Sequence, residues 1–123
     1  MTTTADLPTL ILRSFFTNDE YMRRVVPFMD PSYFDGIHKE LFVEFAKYVA
    51  KYNGIPSESA LRIQINESDK FTETQMAQSQ DLIPELFTPD AETEIQWMMD
   101  QTEKWCQDRA LFNAVMESIS IID

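Results

Sequence analysis

Few side chains in this sequence could carry out chemistry. There is one cysteine, Cys106, and one histidine, His38, so no disulfide framework, zinc cluster or activated Cys/His pair can be built from the chain. Cys106 neighbours Trp105 and the acidic Asp108, a setting with no positive field to favour the thiolate, and it reads as a small helix residue. His38 opens an amphipathic segment with no proton-transfer partner in view. Carboxylates are abundant, but a general acid/base pair needs a concave site that drives two pKa values apart, and spacing alone supplies none. Asp90, Glu92 and Glu94 could attract a divalent cation, yet their spacing matches no calcium loop, and solvated surface acids are the better reading. Arg23-Arg24 beside Tyr21 could meet a phosphate or an acidic partner, although adjacent arginines usually form a solvated face. The only glycines are Gly36 and Gly54, which excludes every glycine-rich phosphate cradle, the P-loop of ATPases included. No enzymatic activity is assigned from these residues.

Whatever the chain does must therefore rest on surface and shape. Its 123 residues and 14.4 kDa fit one domain. Ten basic against 21 acidic residues give a net charge of −11, which argues against a nucleic-acid groove. Residues 71–103 carry Glu73, Asp81, Glu85, Asp90, Glu92, Glu94, Asp100 and Glu103 without a single lysine or arginine, so phosphate backbones would be repelled there. No apolar run approaches the ~20 residues needed to span a bilayer, and the first five residues lack the basic start of a signal peptide. A soluble, reducing compartment is the expectation, with no membrane partner.

Apolar residues recur at helical spacing nearly throughout, which predicts an all-α fold: a compact head of about five short helices followed by one long C-terminal helix. Asp6 with Pro8 in the first turn starts a helix carrying Leu7, Leu10, Ile11 and Phe15. Thr17 and Glu20 match a capping box for a second helix, which Pro27 should kink or shorten. The turn Asp30-Pro31-Ser32-Tyr33-Phe34-Asp35-Gly36 offers two aromatic plugs. Next, Ile37, Leu41, Phe42, Phe45, Tyr48, Val49 and Tyr52 share one helix face and Lys39, Glu40, Glu44, Lys47 and Lys51 the other, with Gly54 as the C-terminal cap. Ser57 after Pro56 restarts a helix through Leu61 and Ile65, and Thr72 with Gln75 forms a capping box for another, which Pro84 should end or bend.

Thr88-Pro89-Asp90 has the start pattern of the final helix, dividing the chain into a head, 1–88, and a helix-pairing element, 89–123. Running unbroken for roughly 33 residues, that helix would reach about 50 Å, well beyond a head of about 14 Å gyration radius. Met98, Trp105, Phe112 and Ile119 are spaced by seven, and Ile95, Thr102, Arg109 and Met116 lie three before each, a heptad-like seam that Thr102 and Arg109 interrupt. Leu111, Val115 and Ile122 widen the apolar sector toward the C-terminus, more than one partner helix would cover. The same stripe could pack entirely on the chain's own head. The length of the helix favours association, and Ile95, Met98, Trp105, Arg109, Leu111, Phe112, Val115, Met116 and Ile119 are the candidate interface.

Four runs, residues 21–34 (YMRRVVPFMDPSYF), 52–57 (YNGIPS), 71–75 (FTETQ) and 102–114 (TEKWCQDRALFNA), resemble the N-terminal region of tailed-phage replicative DNA helicases of the DnaB type. The resemblance extends from about Leu10 to Ile121 in one order, and the last run is its most specific part. It implies a helical head followed by a helical hairpin, in a domain that helps assemble a hexameric ring and contacts the primase, within the cytoplasm of an infected bacterium. Residues 102–114 would belong to the first arm of that hairpin. ATP and Mg²⁺ would serve only a separate C-terminal motor, so no cofactor is expected in this chain. The sequence ends at Asp123, near the end of the first arm, which leaves open whether another chain replaces the second. A different class of function stays open as well: a free-standing acidic phage protein that mimics DNA or blocks a DNA-binding factor, suggested by the charge of −11 and the base-free stretch.

Overall fold

In the computed structural model, which describes residues 6–90 and 93–122, six α-helices and two 3₁₀ turns follow one another, and no strand forms among the described residues. The first helix, α1 (Leu7–Thr17), begins as its sequence dictates: Asp6 accepts from the Thr9 N–H and Pro8 occupies the first turn. Hydrogen bonding to Thr9, its side chain first, holds the Asp6 carboxyl below the usual carboxylate range. The cap of α2 (Asp19–Val25) is Asn18, which accepts from the Tyr21 N–H, rather than Thr17. Thr17 still belongs to α1, where its hydroxyl donates to the Arg13 carbonyl and so is unavailable as a cap. Pro27 shortens α2 as expected, converting its continuation into the 3₁₀ turn Val26–Phe28, and a second turn, Pro31–Tyr33, follows.

Gly36 starts α3 (Gly36–Tyr52) at φ +56°, a conformation that disfavours any side chain. The helix terminates on Asn53, left-handed at φ 55°, one residue earlier than the glycine cap expected at Gly54. Glu44, expected on the solvated face of α3, is buried. Gln64 of α4 (Glu58–Glu67) lies across it, donating to its carbonyl at 2.7 Å and its carboxylate at 3.0 Å, and Lys47 reaches the other carboxylate oxygen at 3.3 Å. A buried carboxylate persists only when its lone pairs are met in this way. Ser57 caps α4, and Thr72 with Gln75 forms the full reciprocal box that opens α5 (Glu73–Leu86). Pro84 sits inside α5, which ends two residues later.

The core is aromatic. Phe15 packs with Tyr21, Phe42 and Phe45 at ring separations of 5.2, 5.6 and 5.3 Å, while Phe16 meets Phe45 and Phe87. Of the two predicted plugs, Phe34 is buried against Phe42 and Tyr33 lies at the rim. The last helix, α6, spans Ile95–Ile122. It starts later than Thr88-Pro89-Asp90 predicts, because those residues are committed elsewhere: the Thr88 hydroxyl donates to the Pro84 carbonyl and Asp90 pairs with Arg13 of α1 at 3.1 Å. Its 28 residues extend over about 42 Å rather than 50 Å. No helix among the described residues is long and apolar enough to cross a membrane.

Candidate interaction surface

The proximal half of α6 is fastened to the head. Met98 is buried, and Ile95, Met99 and Trp105 are partly buried against the core. Trp105 lies 4.9 Å from Phe34 and meets Tyr33 edge-on, so the turn after α2 forms its seat. Between these apolar contacts, Thr102 is buried, donates to the Met98 carbonyl at 2.6 Å and lies 2.6 Å from the Tyr21 hydroxyl of α2. Because the Thr102 proton goes to the Met98 carbonyl, the Tyr21 phenol is the donor of the pair, and burial raises its pKa well above the ordinary tyrosine value. The residue that interrupts the heptad row is thus the polar rivet that fixes α6 to α2.

Arg109, the second interruption, forms the next fastening. Its guanidinium pairs with Asp35 at 3.3 Å and covers the Phe112 ring at 5.0 Å. One turn on, the Asn113 amide donates to the carbonyl and hydroxyl of Ser32. Beyond that point residues 114–120 are all exposed, and from Asn113 to the end of α6 the helix runs on for about 14 Å.

The candidate residues therefore fall into two groups. Ile95, Met98 and Trp105 pack on the chain's own head, and Arg109 is an anchor at its edge. Leu111, Phe112, Val115, Met116 and Ile119 are exposed by 66, 51, 49, 50 and 50%. At 100° per residue, Phe112, Val115, Met116 and Ile119 fall within a sector of about 100°, with Leu111 on its flank. The side chain of Ile122 lies outside the described residues. Five half-exposed side chains leave roughly 450 Å² of apolar surface on one helix face, the size of a protein interaction patch.

The other chemistry-bearing residues are occupied structurally. The His38 ring meets the Thr9 hydroxyl at 2.8 Å. Cys106 is partly buried 3.9 Å from the Met29 sulfur, and burial pushes its thiol up to about 11, so it is not a nucleophile at neutral pH. Arg23 pairs with Asp19, and Arg24 with Glu20, each across one turn of an exposed helix face. Of the three acids considered for a cation, Asp90 pairs with Arg13 and Glu92 lies outside the described residues.

Sequence reasoning missed Tyr21, Asp35 and Ser32 as the residues that position the surface. Each meets its α6 partner across more than seventy residues of chain, so no local spacing could indicate it.

No family model matches the chain. It is 34% identical over 113 residues to a DnaB-like replicative helicase of Enterobacteria phage T4. The matched stretch takes in 91% of this chain and 23% of the phage T4 protein, so the chain spans about a quarter of that relative's length. A helicase-related region of a replication protein is the character this likeness supports.

Proposed function

We propose that the chain is the non-catalytic N-terminal domain of a phage replicative helicase, working in ring assembly and primase docking, with the distal half of α6 as the pairing surface. The observation that carries this is the exposed row Phe112, Val115, Met116 and Ile119 on a helix segment that has run past its own head. The similarity to a replicative helicase over most of the chain supplies the replication context. Motor activity, with its ATP and Mg²⁺, would reside outside these residues. The acidic-mimic alternative has charge alone in its favour, the net −11 and the base-free stretch 71–103.

Pairing two such faces would bury roughly 900 Å², below the ~1,200 Å² of stable interfaces, so two copies associate weakly unless further contacts are recruited. The test is sedimentation across a wide concentration range, with Phe112→Asp/Met116→Asp as the variant. Burying the exposed half of Phe112 or Met116 is worth about 1 kcal/mol. Two residues on two copies give about 4 kcal/mol, so the variant should weaken association by about 1,000-fold with unchanged helicity. A mass that stays monomeric at every concentration, or that the variant leaves unchanged, refutes the pairing role. Primase docking is tested separately by co-sedimentation with the primase of the same phage.

A further inference from the structure

The heptad row that faces the head is one of two on α6. The other runs along the outer side of the helix: Trp97, Lys104 and Leu111 are spaced by seven, and Gln101, Asp108 and Val115 lie four after each. At 100° per residue these six fall within a sector of about 80°, roughly 120° round the helix from Met98, Thr102 and Trp105, which face the head. The head leaves this outer row uncovered. Trp97, Leu111 and Val115 are 48, 66 and 49% exposed, Lys104 and Asp108 are exposed, and Gln101 is half-buried. Large apolar side chains repeating at heptad positions on a solvated face have the pattern of a helix-pairing seam.

The charges in the middle of the row select both the partner and its direction. Among the described residues neither Lys104 nor Asp108 forms an ion pair within the chain. A parallel, in-register pair of α6 helices would set Lys104 against Lys104 and Asp108 against Asp108. In an antiparallel pair, residues equally far from the two-fold axis on either side of it face each other. Lys104 and Asp108 lie two residues either side of Cys106, Gln101 and Leu111 five, and Trp97 and Val115 nine. An axis level with Cys106 therefore sets Lys104 of each copy on Asp108 of the other. The same register, fixed by the charges alone, brings Trp97 onto Val115 and the stem of Gln101 onto Leu111.

We propose that α6 pairs antiparallel with α6 of a second copy along this outer row, with Lys104 on Asp108 at the centre and Trp97 on Val115 at each end. This pairing rests on the role given to α6 under the proposed function and adds its direction, its register and the further contacts it recruits. Leu111, Phe112, Val115 and Ile119, joined by Trp97 and by the stems of Gln101 and Lys104, bury roughly 1,200 Å² over the two copies, the lower end of stable interfaces.

The test compares the sedimentation of the parent with that of charge variants on the row. Lys104→Glu sets two like-charged pairs across the axis, as does Asp108→Lys, so each should raise the dissociation constant about tenfold. The exchange Lys104→Asp/Asp108→Lys restores opposite charges in both pairs and should return the constant to within about threefold of the parent. A mixture of the two single variants should also associate like the parent, because each chain then presents the charges that the other lacks, a rescue that no effect within one chain can produce. Circular dichroism checks that every variant keeps its helicity. Asp108→Lys makes the chain less acidic, so a response to net charge alone would strengthen association instead of weakening it. A parent that associates while the single reversals leave it unchanged, an Asp108→Lys variant that associates more tightly, or an exchange variant as weak as the singles would each overturn the antiparallel register and leave the pairing role of α6 standing. A parent that stays monomeric at every concentration would overturn both.

Discussion

Removing either half of the Tyr21–Thr102 contact tests how α6 is fixed to the head. The two hydroxyls lie 2.6 Å apart, both are buried, and Thr102 also donates to the Met98 carbonyl. In Tyr21→Phe the Thr102 proton still has its carbonyl acceptor, so only a neutral hydrogen bond is lost, at a cost of about 1 kcal/mol. In Thr102→Val the Tyr21 phenol stays buried with no acceptor, which costs roughly 1–3 kcal/mol, or about 4 °C of melting temperature per kcal/mol for a domain of this size. The double variant removes both groups and should be less destabilised than the sum of the singles, by about 1 kcal/mol. The assay is a double-mutant cycle from thermal and denaturant unfolding followed by circular dichroism. Strict additivity, or a Thr102→Val protein as stable as the parent, would refute the idea that this hydroxyl pair fastens α6.

Three further outcomes follow from the titrating groups. Because the Tyr21 pKa is raised on folding, its contribution is fully present below the ordinary tyrosine pKa near 10 and is lost as pH rises above it. The parent should therefore lose stability above pH 10 more steeply than Tyr21→Phe, as read by melts across the alkaline range. Cys106 should react with iodoacetamide along a pH profile centred near 11 in the folded protein and near 9 when unfolded, and a folded profile centred near 9 would contradict its burial. Asp6, whose pKa is lowered on folding, stabilises α1 above its ordinary value of 3.8, and that contribution fades as pH falls through the folded value. Asp6→Ala should cost about 1 kcal/mol at neutral pH and little in strong acid.

Signals confined to one helical turn were legible in the sequence. Asp6, Ser57 and the Thr72/Gln75 box each act on a backbone N–H three residues away, and Pro27 acts on its own helix, so pattern and structure coincide. Errors arose where another group, one turn back or far along the chain, competed for the same residue. Thr17 is drawn back to the Arg13 carbonyl, so Asn18 takes the cap, and Glu44 is covered because Gln64 arrives from another helix. Asp90 could have opened α6 had Arg13, 77 residues earlier, not captured it. On α6 the heptad row showed which residues share a face, but not where the head stops. That boundary is set by Arg109 on Asp35 and Asn113 on Ser32, contacts of 74 and 81 residues' separation with no signature in either strand of sequence.

Residue-resolved amide exchange across 111–120, followed as protein concentration rises, asks most directly whether the free end of α6 is a pairing surface. Weak association through Phe112, Val115, Met116 and Ile119 predicts that these amides become slower to exchange with concentration, while those of α1 do not change. Exchange over 111–120 that is the same at every concentration, up to the millimolar range, would contradict it.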